Sequence, residues 1–387
     1  MKLFYIANIR MPTEKAHGLQ ISKMCEAFAA QGLEVELIVP KRDNTIKEDI
    51  FKFYNIQENF KVKKIYSFDF LRFEKINKFL IYIQALLFAF GVFLYVLFNP
   101  NKFKNDALFY LRDEFSPWLL ILLNKKVFLE IHAFTKRFRY YRIFFPKISG
   151  LILITKKAKE KFIDLGMVKE KILIAPDGVD LNIFDLDLSK DEARKKFNLP
   201  LDKKLLGYTG RFRTMGMDKG IYDILKALKI LNDNEIIFIA IGGLGADIDH
   251  YTKKAREAEI EKQIKLLPFR SQSQLAVYQK AFDILLMPFP PNEHYTFYMS
   301  PLKMFEYMAS GRPIVTSDLP SVREILNENN AIFVKPEDPE DLARGIKTAL
   351  EDKELAQRVS QQAFEDVQFY TWTKRAERIV RFIKEKI

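Results

Sequence analysis

The chain has 387 residues, of which 48% are hydrophobic and 29% are charged, a composition typical of globular proteins. This length predicts two domains, and the composition excludes a disordered or fibrous chain. The single cysteine, Cys25, excludes a disulfide scaffold and a cysteine metal cluster.

Positive charge is concentrated in the first half of the chain. Lys and Arg outnumber Asp and Glu by 12, and residues 1–190 carry most of this excess. Such a field favours an anionic partner of the first half: a membrane surface, a nucleic acid or a phosphorylated substrate.

The first half alternates predicted strands with helical segments. The opening segment MKLFYIANIR is too short for a signal peptide and lacks a cleavage site, so we predict a buried first strand in a cytoplasmic protein. Strands are predicted near residues 2–8, 33–39, 61–66, 106–112, 126–132 and 150–155.

Residues 79–98, FLIYIQALLFAFGVFLYVLF, have about the length and composition needed to cross a bilayer. A true span would place the strands before and after it on opposite sides of a membrane. A crossover helix would instead keep a parallel sheet whole. We therefore favour a helix that is buried or touches a membrane, and the span stays open as the alternative.

A second alternation of strands and helices begins near residue 205, after a polar connection. Its strands are predicted in LLGYTG, EIIFIAIGG, IKLLPF, FDILLMPF, RPIVTSD and AIFVKPED. We predict an α/β protein with two doubly wound Rossmann-like domains, residues 1–183 and 184–369, facing across a cleft. Residues 370–387 predict a helix with an apolar face that docks on the rest of the protein.

The loop between residues 209 and 220 follows a predicted strand and opens a helix. Glycines allow a ligand to approach the backbone closely, and Arg211 and Lys219 suit a diphosphate. No Gly-Lys-Ser/Thr follows, so this is not a P-loop. Surface cations on an ordinary turn are the alternative interpretation.

The segment SPLKMFEYMASG at 300–311 predicts a second anion site. Ser300 is predicted as the N-cap and Pro301 as the first helical residue, a start that leaves backbone amides free to bind phosphate. Glu306, in the second turn, would then reach the vicinal hydroxyls of a nucleotide. A solvated glutamate is the alternative.

Together these motifs resemble the retaining glycosyltransferases of family four, which have the GT-B fold. The resemblance rests on Gly210-Arg211 with Lys219-Gly220, on PDGVD at 176–180 and on SPLKMFEYMASGRPIV at 300–315. MPTEKAHGLQISKMCEAFAAQG at 11–32 looks like the family's first glycine-containing loop and helix, and Glu130-Ile131-His132 ends a strand where the family places a histidine. The match covers essentially the whole chain.

The resemblance implies a role for each matching residue. Arg211 and Lys219 would hold the donor diphosphate, Glu306 the ribose hydroxyls, and Gly18 would let the first loop approach the diphosphate. His132 would contact the transferred sugar, and the backbone near Phe269 and Arg270 would meet the base. The terminal helix would cross back to the first domain. The full predicted set is His132, Arg211 and Lys219 as catalytic residues, with Gly18, Gly210, Phe269, Arg270, Ser300, Pro301, Leu302, Lys303 and Glu306 binding the donor.

One position departs from the family pattern. The usual pair of glutamates lies eight positions apart, but Tyr298 occupies the first position here. In similar proteins that acid touches the donor sugar, so the sugar's identity is left open.

No required metal or other cofactor is expected. Asp185-Leu186-Asp187 and Asp247-Ile248-Asp249 match an Asp-x-Asp metal motif, but with 50 acidic residues such matches arise by chance. The donor would be a nucleotide-diphosphate sugar acting as substrate, and enzymes of this kind need no protein nucleophile.

Residues 136–147 contain five cations, five aromatic residues and no acid. Cations attract anionic headgroups and aromatic rings favour the interface, so the first domain could rest on the inner face of the cell membrane. A helix that packs its aromatic side chains inward is the alternative.

The leading hypothesis is a glycosyltransferase with a glycan or lipid-linked acceptor in cell-envelope polysaccharide synthesis, including lipopolysaccharide. A nucleotide-sugar epimerase or a phosphorylase on the same fold is the second. A nucleic-acid-binding protein is the third; no recognition module supports it, and no nucleic-acid partner is expected.

Overall fold

The computed structural model describes residues 1–69, 78–104, 106–132, 134–135, 137–214 and 216–387. Lys136, the first residue of the basic aromatic segment at 136–147, therefore lies outside the described residues. The chain divides into two compact units, Met1–Pro176 with Trp372–Ile387, and Asp177–Thr371. These divisions fall at 176/177 and 371/372, whereas the sequence placed them at 183/184 and 369/370.

The first unit is built on a seven-stranded parallel sheet. Its strands are β1 (Lys2–Ile6), β2 (Glu34–Lys41), β3 (Lys61–Tyr66), β4 (Ala107–Leu111), β5 (Lys126–Ile131), β6 (Gly150–Leu153) and β7 (Ile172–Ile174). Their order is β3-β2-β1-β4-β5-β6-β7. Central strands such as ALFYL of β4 are buried at every position, which is why they are continuously apolar.

Helices connect these strands. They are α1 (Ala16–Ala30), α2 (Ile50–Tyr54), α3 (Lys78–Leu97), α4 (Ser116–Leu122), α5 (Phe138–Tyr141) and α6 (Lys156–Asp164), with 3-10 segments at Arg142–Lys147 and Lys169–Lys171. The apolar stretch predicted at 79–98 is α3, one crossover helix of this unit.

The second unit contains a six-stranded parallel sheet and a small hairpin. Its strands are β8 (Lys204–Thr209), β9 (Arg213–Thr214), β10 (Met217–Asp218), β11 (Ile236–Gly243), β12 (Ile264–Pro268), β13 (Ile284–Met287), β14 (Ile314–Ser317) and β15 (Ile332–Val334). The sheet order is β12-β11-β8-β13-β14-β15, and β9 pairs with β10. Strand order reverses at β8, the position where doubly wound sheets bind ligands.

The helices of the second unit complete the doubly wound pattern. They are α7 (Leu181–Phe184), α8 (Lys190–Lys196), α9 (Ile221–Leu231), α10 (Gly245–Glu257), α11 (Gln272–Ala281), α12 (Glu293–Phe297), α13 (Leu302–Ser310), α14 (Pro320–Arg323), α15 (Pro339–Glu351) and α16 (Lys353–Val367), with a 3-10 segment at Glu261–Gln263. The predicted α/β class with two doubly wound Rossmann-like sheets is confirmed.

The terminal helix α17 (Trp372–Lys386) belongs to the first unit. Its predicted apolar face is buried, and the residues that form it are Trp372, Ala376, Ile379, Val380 and Ile383. Arg375 is buried on the same helix, so α17 carries a charged group into the core of the unit.

Candidate functional site

The predicted donor-binding loops lie at one edge of the second sheet. They follow the carboxyl ends of β8, β12 and β13, and β11 ends at the same edge. Gly210 follows β8, Phe269 follows β12, and the connection to α13 follows β13. These strands are parallel, so their carboxyl ends share an edge, with β8 between β11 and β13. The edge is therefore the natural place for a ligand within this unit.

Two glycines allow the backbone to pack closely here. Gly210 has a φ of 112° and Gly242 a φ of 118°, both in the left-handed region that favours glycine. A Cβ on Gly242 would lie 2.7 Å from the carbonyl carbon and oxygen of Gly210. A Cβ on Gly210 would lie 3.3 Å from Lys303 Cε. The turn after β8 is thus shaped to admit the Lys303 side chain.

Lys303 is a buried cation without a hydrogen-bonding partner for its Nζ among the described residues. The Nζ lies 3.4 Å from the centroid of the Tyr208 ring, a cation–π contact. Burial, and then the nearby Lys219, hold the pKa of Lys303 well below its ordinary value. An unsatisfied ammonium in such a place is costly unless an anion binds to it.

Arg211 and Lys219 add positive charge to the same place. Burial and the Arg211 guanidinium lower the pKa of Lys219 to about 8. The Tyr208 hydroxyl donates to the Arg211 carbonyl oxygen at 3.0 Å, which fixes the backbone of the turn. Arg211 lowers the pKa of Lys219, and Lys219 lowers the pKa of Lys303, so a diphosphate would stabilise the charged form of both lysines.

The loop that carries Lys219 is held in one conformation by its neighbours. The strands β9 and β10 pair within the loop, and Asp218 Oδ1 accepts hydrogen bonds from the amides of Gly220 and Tyr222 at 2.9 and 3.2 Å. Gly220 has a φ of 91°, and a Cβ there would lie 1.9 Å from the Pro288 carbonyl oxygen. Only glycine fits at the start of α9.

The helix α13 begins one residue later than predicted. Pro301, with a φ of −75° and a ψ of 129°, is the N-cap, and no side chain caps the helix. The predicted N-cap role of Ser300 is wrong, because its Oγ instead accepts a hydrogen bond from the Asp177 amide at 2.9 Å. Leu302 and Lys303 thus open a helix without a side-chain cap, a start suited to an anion.

Glu306 lies one turn after Lys303 and is also buried. Burial raises its pKa to about 7, although Lys303 opposes the shift. The Gln272 Nε2 donates to Glu306 Oε1 at 3.3 Å. A carboxyl group that titrates near neutrality and lies beside a cation cluster is typical of a functional site rather than of a solvated surface.

The residues after β12 reach the same region through α11. Phe269 has an exposed side chain, and Arg270 Nη1 donates to the Phe269 carbonyl at 3.1 Å. Ser271 then caps α11, which carries Gln272 to Glu306. Tyr298, at the position of the missing acid, is buried at the end of α12.

His132 lies in the first unit, immediately after β5. Its Nε2 is 2.5 Å from Oε1 of Glu130, a buried carboxylate on the same strand. Arg375 and His132 hold the pKa of Glu130 well below its ordinary value despite the opposing effect of burial. Glu130 also accepts from Tyr110 Oη and Gln20 Nε2 at 2.5 and 2.9 Å. His132 is therefore oriented by a rigid buried network.

Gly18 lies in the first turn of α1, also in the first unit. A Cβ on Gly18 would lie 2.1 Å from Tyr54 Oη and 2.5 Å from Thr13 Cγ2. The Tyr54 hydroxyl donates to the Thr13 carbonyl at 2.7 Å, which fixes that ring. Tyr54 thus supplies a packing reason for glycine, whether or not a ligand approaches.

Sequence reasoning missed several residues of the cluster. No motif marks the side chains of Tyr208, Gln272 and Asp218. The Tyr208 ring contacts Lys303, Gln272 donates to Glu306, and Asp218 accepts from the Gly220 amide. Gly242 was also missed, and its place at the end of β11, beside β8, was the available signal. Of the two Asp-x-Asp segments, Asp247 lies in the first turn of α10, a favourable position for an acid.

Comparison with known proteins agrees with this geometry. Residues 189–366 match the family model described as glycosyl transferases group 1. An uncharacterized glycosyltransferase of Methanocaldococcus jannaschii is 25% identical over 240 residues, which cover 60% of this chain and 59% of that protein. The chain spans about half to three fifths of the length of the curated relatives it matches.

Solved structures resemble the whole chain in fold. Sucrose-phosphate synthase from Thermosynechococcus elongatus has a TM-score of 0.77 at 16% identity, with 100% of this chain and 99% of that chain covered. Anabaena HepE in complex with UDP-glucose has a TM-score of 0.72 at 15% identity, with both chains covered completely. The chain therefore has the two-domain GT-B fold, and most of its second unit matches the family model of the glycosyl transferases group 1.

Proposed function

We propose that this protein is a glycosyltransferase that moves a sugar from a nucleotide-diphosphate donor to a glycan or lipid-linked acceptor, with retention of anomeric configuration. The observation that carries the proposal is the cluster of Arg211, Lys219 and Lys303 around the glycine turn after β8. The group 1 family match over the same unit supports transfer of a sugar as the reaction class.

The cation cluster suits the leaving group of such a reaction. Breaking the bond between sugar and phosphate builds negative charge on the departing diphosphate. Cations that are already in place stabilise this charge more in the transition state than in the ground state. Arg211 and Lys219 are proposed to act in this way, with Gly210, Pro301, Leu302 and the Lys303 side chain completing the phosphate site.

The rest of the donor would extend towards Glu306 and α11. An ionised Glu306 would accept hydrogen bonds from the two ribose hydroxyls, and the backbone near Phe269 and Arg270 would meet the base. Because a solved neighbour binds UDP-glucose, UDP-sugars are the first donors to test. Gly18 is proposed to let the first loop approach the diphosphate, and His132 is proposed to contact the transferred sugar, as the family resemblance implies.

The acceptor and the biological setting are inferred from the names of relatives and structural neighbours. Cell-envelope polysaccharide synthesis in the cytoplasm is proposed because one relative is named for teichuronic acid biosynthesis and one structural neighbour is a lipopolysaccharide outer core galactosyltransferase. No required metal is proposed.

Ligand-induced thermal shifts test the donor site. We would measure the protein with a panel of UDP-, GDP- and ADP-sugars and repeat the best donor with Arg211→Ala and Lys219→Ala. Lys262→Ala, which removes an exposed cation of the same unit, is the control. A ligand at a hundred times its Kd stabilises the native state by about 2.7 kcal/mol. A shift that both site variants lose and the control keeps supports the proposal.

The panel also distinguishes the competing hypotheses. No shift with any donor, from a folded protein, would contradict the donor site. Salt-dependent binding of oligonucleotides would favour the nucleic-acid hypothesis. If a donor binds, NMR of the product separates transfer with retention from transfer with inversion. Conversion of the donor without any acceptor would favour an epimerase, and phosphate-dependent cleavage of a glycan would favour a phosphorylase.

A further inference from the structure

The helix α3 has an apolar face that the described part of the chain leaves exposed. On its buried side, Phe88, Val92 and Val96 pack in the core of the first unit. Most of the exposed side chains of α3 follow a helical spacing of three or four residues over the first three turns and lie on one stripe, whereas Ile81 is exposed on another side of the helix. The stripe consists of Phe79, Tyr82, Leu86, Phe90 and Leu97.

The composition of α3 is unusual for a face in contact with water. No charged residue occurs between Phe79 and Leu97. An exposed helix face is normally polar, and contiguous apolar surface marks a site of interaction. Among the described residues, α3 is the helix that is both long enough and apolar enough to cross a membrane, judged by length and composition alone.

The basic aromatic segment 137–147 adjoins this stripe. Arg137 Nη1 donates to Tyr82 Oη at 2.6 Å, and its guanidinium lies 4.9 Å from the centroid of the same ring. The ring of Phe144 lies 5.1 Å from that of Trp118, which places the segment against α4. Tyr140 and Ile143 project from the segment and are largely exposed.

The charge of this region has one sign. Arg139, Arg142 and Lys147 are exposed, and neither residues 137–147 nor α3 contain an acid. Glu114, an acid beside this region, is paired with Arg137. Cations beside exposed aromatic and aliphatic side chains match the chemistry of a bilayer that contains anionic lipids.

We propose that the α3 stripe and segment 137–147 form one docking surface for a bilayer with anionic headgroups. The protein lies on the membrane and does not cross it, because the opposite face of α3 forms part of the core through Phe88, Val92 and Val96. A spanning helix would have to leave that core and expose it. This inference does not depend on the transferase activity.

The test is binding of the purified full chain to vesicles, measured by cosedimentation. The vesicles are phosphatidylcholine alone, and phosphatidylcholine with one part in three phosphatidylglycerol. Leu86→Glu/Phe90→Glu changes two α3 residues that are 55% and 51% exposed. The matched control, Leu201→Glu/Ile230→Glu, changes residues of the other unit that are 50% and 49% exposed, so it adds the same charge.

A second pair of variants tests the cations separately. Arg139→Gln/Arg142→Gln removes two charges from the docking surface, and Lys262→Gln/Lys265→Gln removes two from the second unit. Each cation near an anionic surface strengthens binding about fivefold, so the first pair should weaken it by roughly 25-fold and the control pair should not. Thermal unfolding of every variant verifies that it is folded.

We expect binding to the anionic vesicles only, loss of binding in both surface variants, retention in both controls, and release by alkaline carbonate. Equal binding by surface variants and controls would overturn the proposal, as would binding that ignores lipid charge. Protein that resists carbonate extraction would indicate a span. Absence of vesicle binding, with self-association that Leu86→Glu/Phe90→Glu abolishes, would show instead that the stripe contacts a second copy.

Discussion

Arg375 Nη2 lies 2.7 Å from Glu130 Oε1, and both side chains are fully buried although 245 residues separate them in the sequence. The Arg375 guanidinium also donates to the carbonyl oxygens of Ala175 and Pro176. Glu130 is thus the point at which α17, β5 and His132 are joined. This pair connects the stability of the first unit to the position of a predicted catalytic residue.

We expect Arg375→Met to destabilise the protein by about 3–5 kcal/mol, because it leaves the Glu130 carboxylate buried without its cation. The free energy of unfolding of this variant and of the exposed control Arg381→Met would be measured in denaturant. A loss below about 1 kcal/mol would show that the pair is not a structural requirement.

The same pair predicts a dependence of stability on pH. Since the pKa of Glu130 is lower in the folded state than its ordinary value of 4.5, its ionised form stabilises the fold at neutral pH. This contribution is fully present above pH 4.5 and is lost as the pH falls through the folded-state pKa. Glu130→Gln should therefore be destabilised at pH 7 and should lose less stability than the native protein between pH 5 and 3. Parallel acid unfolding curves would contradict this.

Lys303→Met should separate stability from binding. Burying a methionine in place of a lysine whose Nζ lacks a hydrogen-bonding partner should raise the free energy of unfolding by about 1–2 kcal/mol without ligand. The same change should weaken nucleoside diphosphate binding at least tenfold, because an aimed cation is lost. Denaturation and titration calorimetry measure the two effects, with Lys262→Met as the control. A Lys303→Met protein that is less stable and binds normally would refute the anion site.

The raised pKa of Glu306 leads us to expect that donor binding depends on pH near neutrality. Its pKa of about 7 means that the carboxyl is partly protonated at pH 7, whereas ribose hydroxyls are best bound by the ionised form. Nucleoside diphosphate binding should release a proton and weaken as the pH falls from 8 to 6. Without ligand the fold should lose stability as the pH rises from 4.5 through about 7.

Glu306→Gln checks both effects, because glutamine does not titrate. Calorimetry in buffers of different ionisation enthalpy would measure the released proton, and the variant should release less. The variant should also keep its stability as the pH rises from 5 to 8. Unchanged proton release in Glu306→Gln would assign the released proton to another group. Lys219 would not be that group, because an anionic ligand raises the pKa of a lysine and favours proton uptake.

Gly220→Ala should destabilise the protein by about 3 kcal/mol or more, because a Cβ would collide with the Pro288 carbonyl oxygen. Gly216→Ala is a matched control: its φ of 81° gives similar backbone strain, but nothing lies within 4 Å of its Cβ. We expect the control to lose only about 1 kcal/mol. Thermal unfolding would measure the loss of stability in each of the two variants. Equal losses would mean that backbone strain, and not the Pro288 contact, selects glycine here.

The strands were predictable because buried parallel strands are short, continuously apolar and separated by helix-length segments. The predicted strand at 61–66 coincides with β3, and most others agree within two residues. Three-residue β7 was missed because so short a run does not stand out, and the β9–β10 hairpin was missed because it lies inside a loop. The crossover helix at 79–98 agrees with α3 within one residue.

The site was only partly predictable, because a motif gives residue types and not their partners. Arg211, Lys219, Lys303 and Glu306 lie in one unit as expected, but the burial of Lys303 against Tyr208 depends on packing between distant segments. Ser300 satisfies every local rule for an N-cap. Its hydroxyl nevertheless binds the Asp177 amide, a contact 123 residues away that local sequence cannot reveal.

The assignment of α17 to the first unit has a consequence for synthesis of the chain on the ribosome. The seven strands of that unit are complete by residue 174, but Arg375 emerges only after the whole second unit has been made. Until then the Glu130 carboxylate lacks its buried cation. We expect the second unit to acquire its stable fold first, although most of the first unit precedes it in sequence, and residues 372–387 to complete the folding of the first unit.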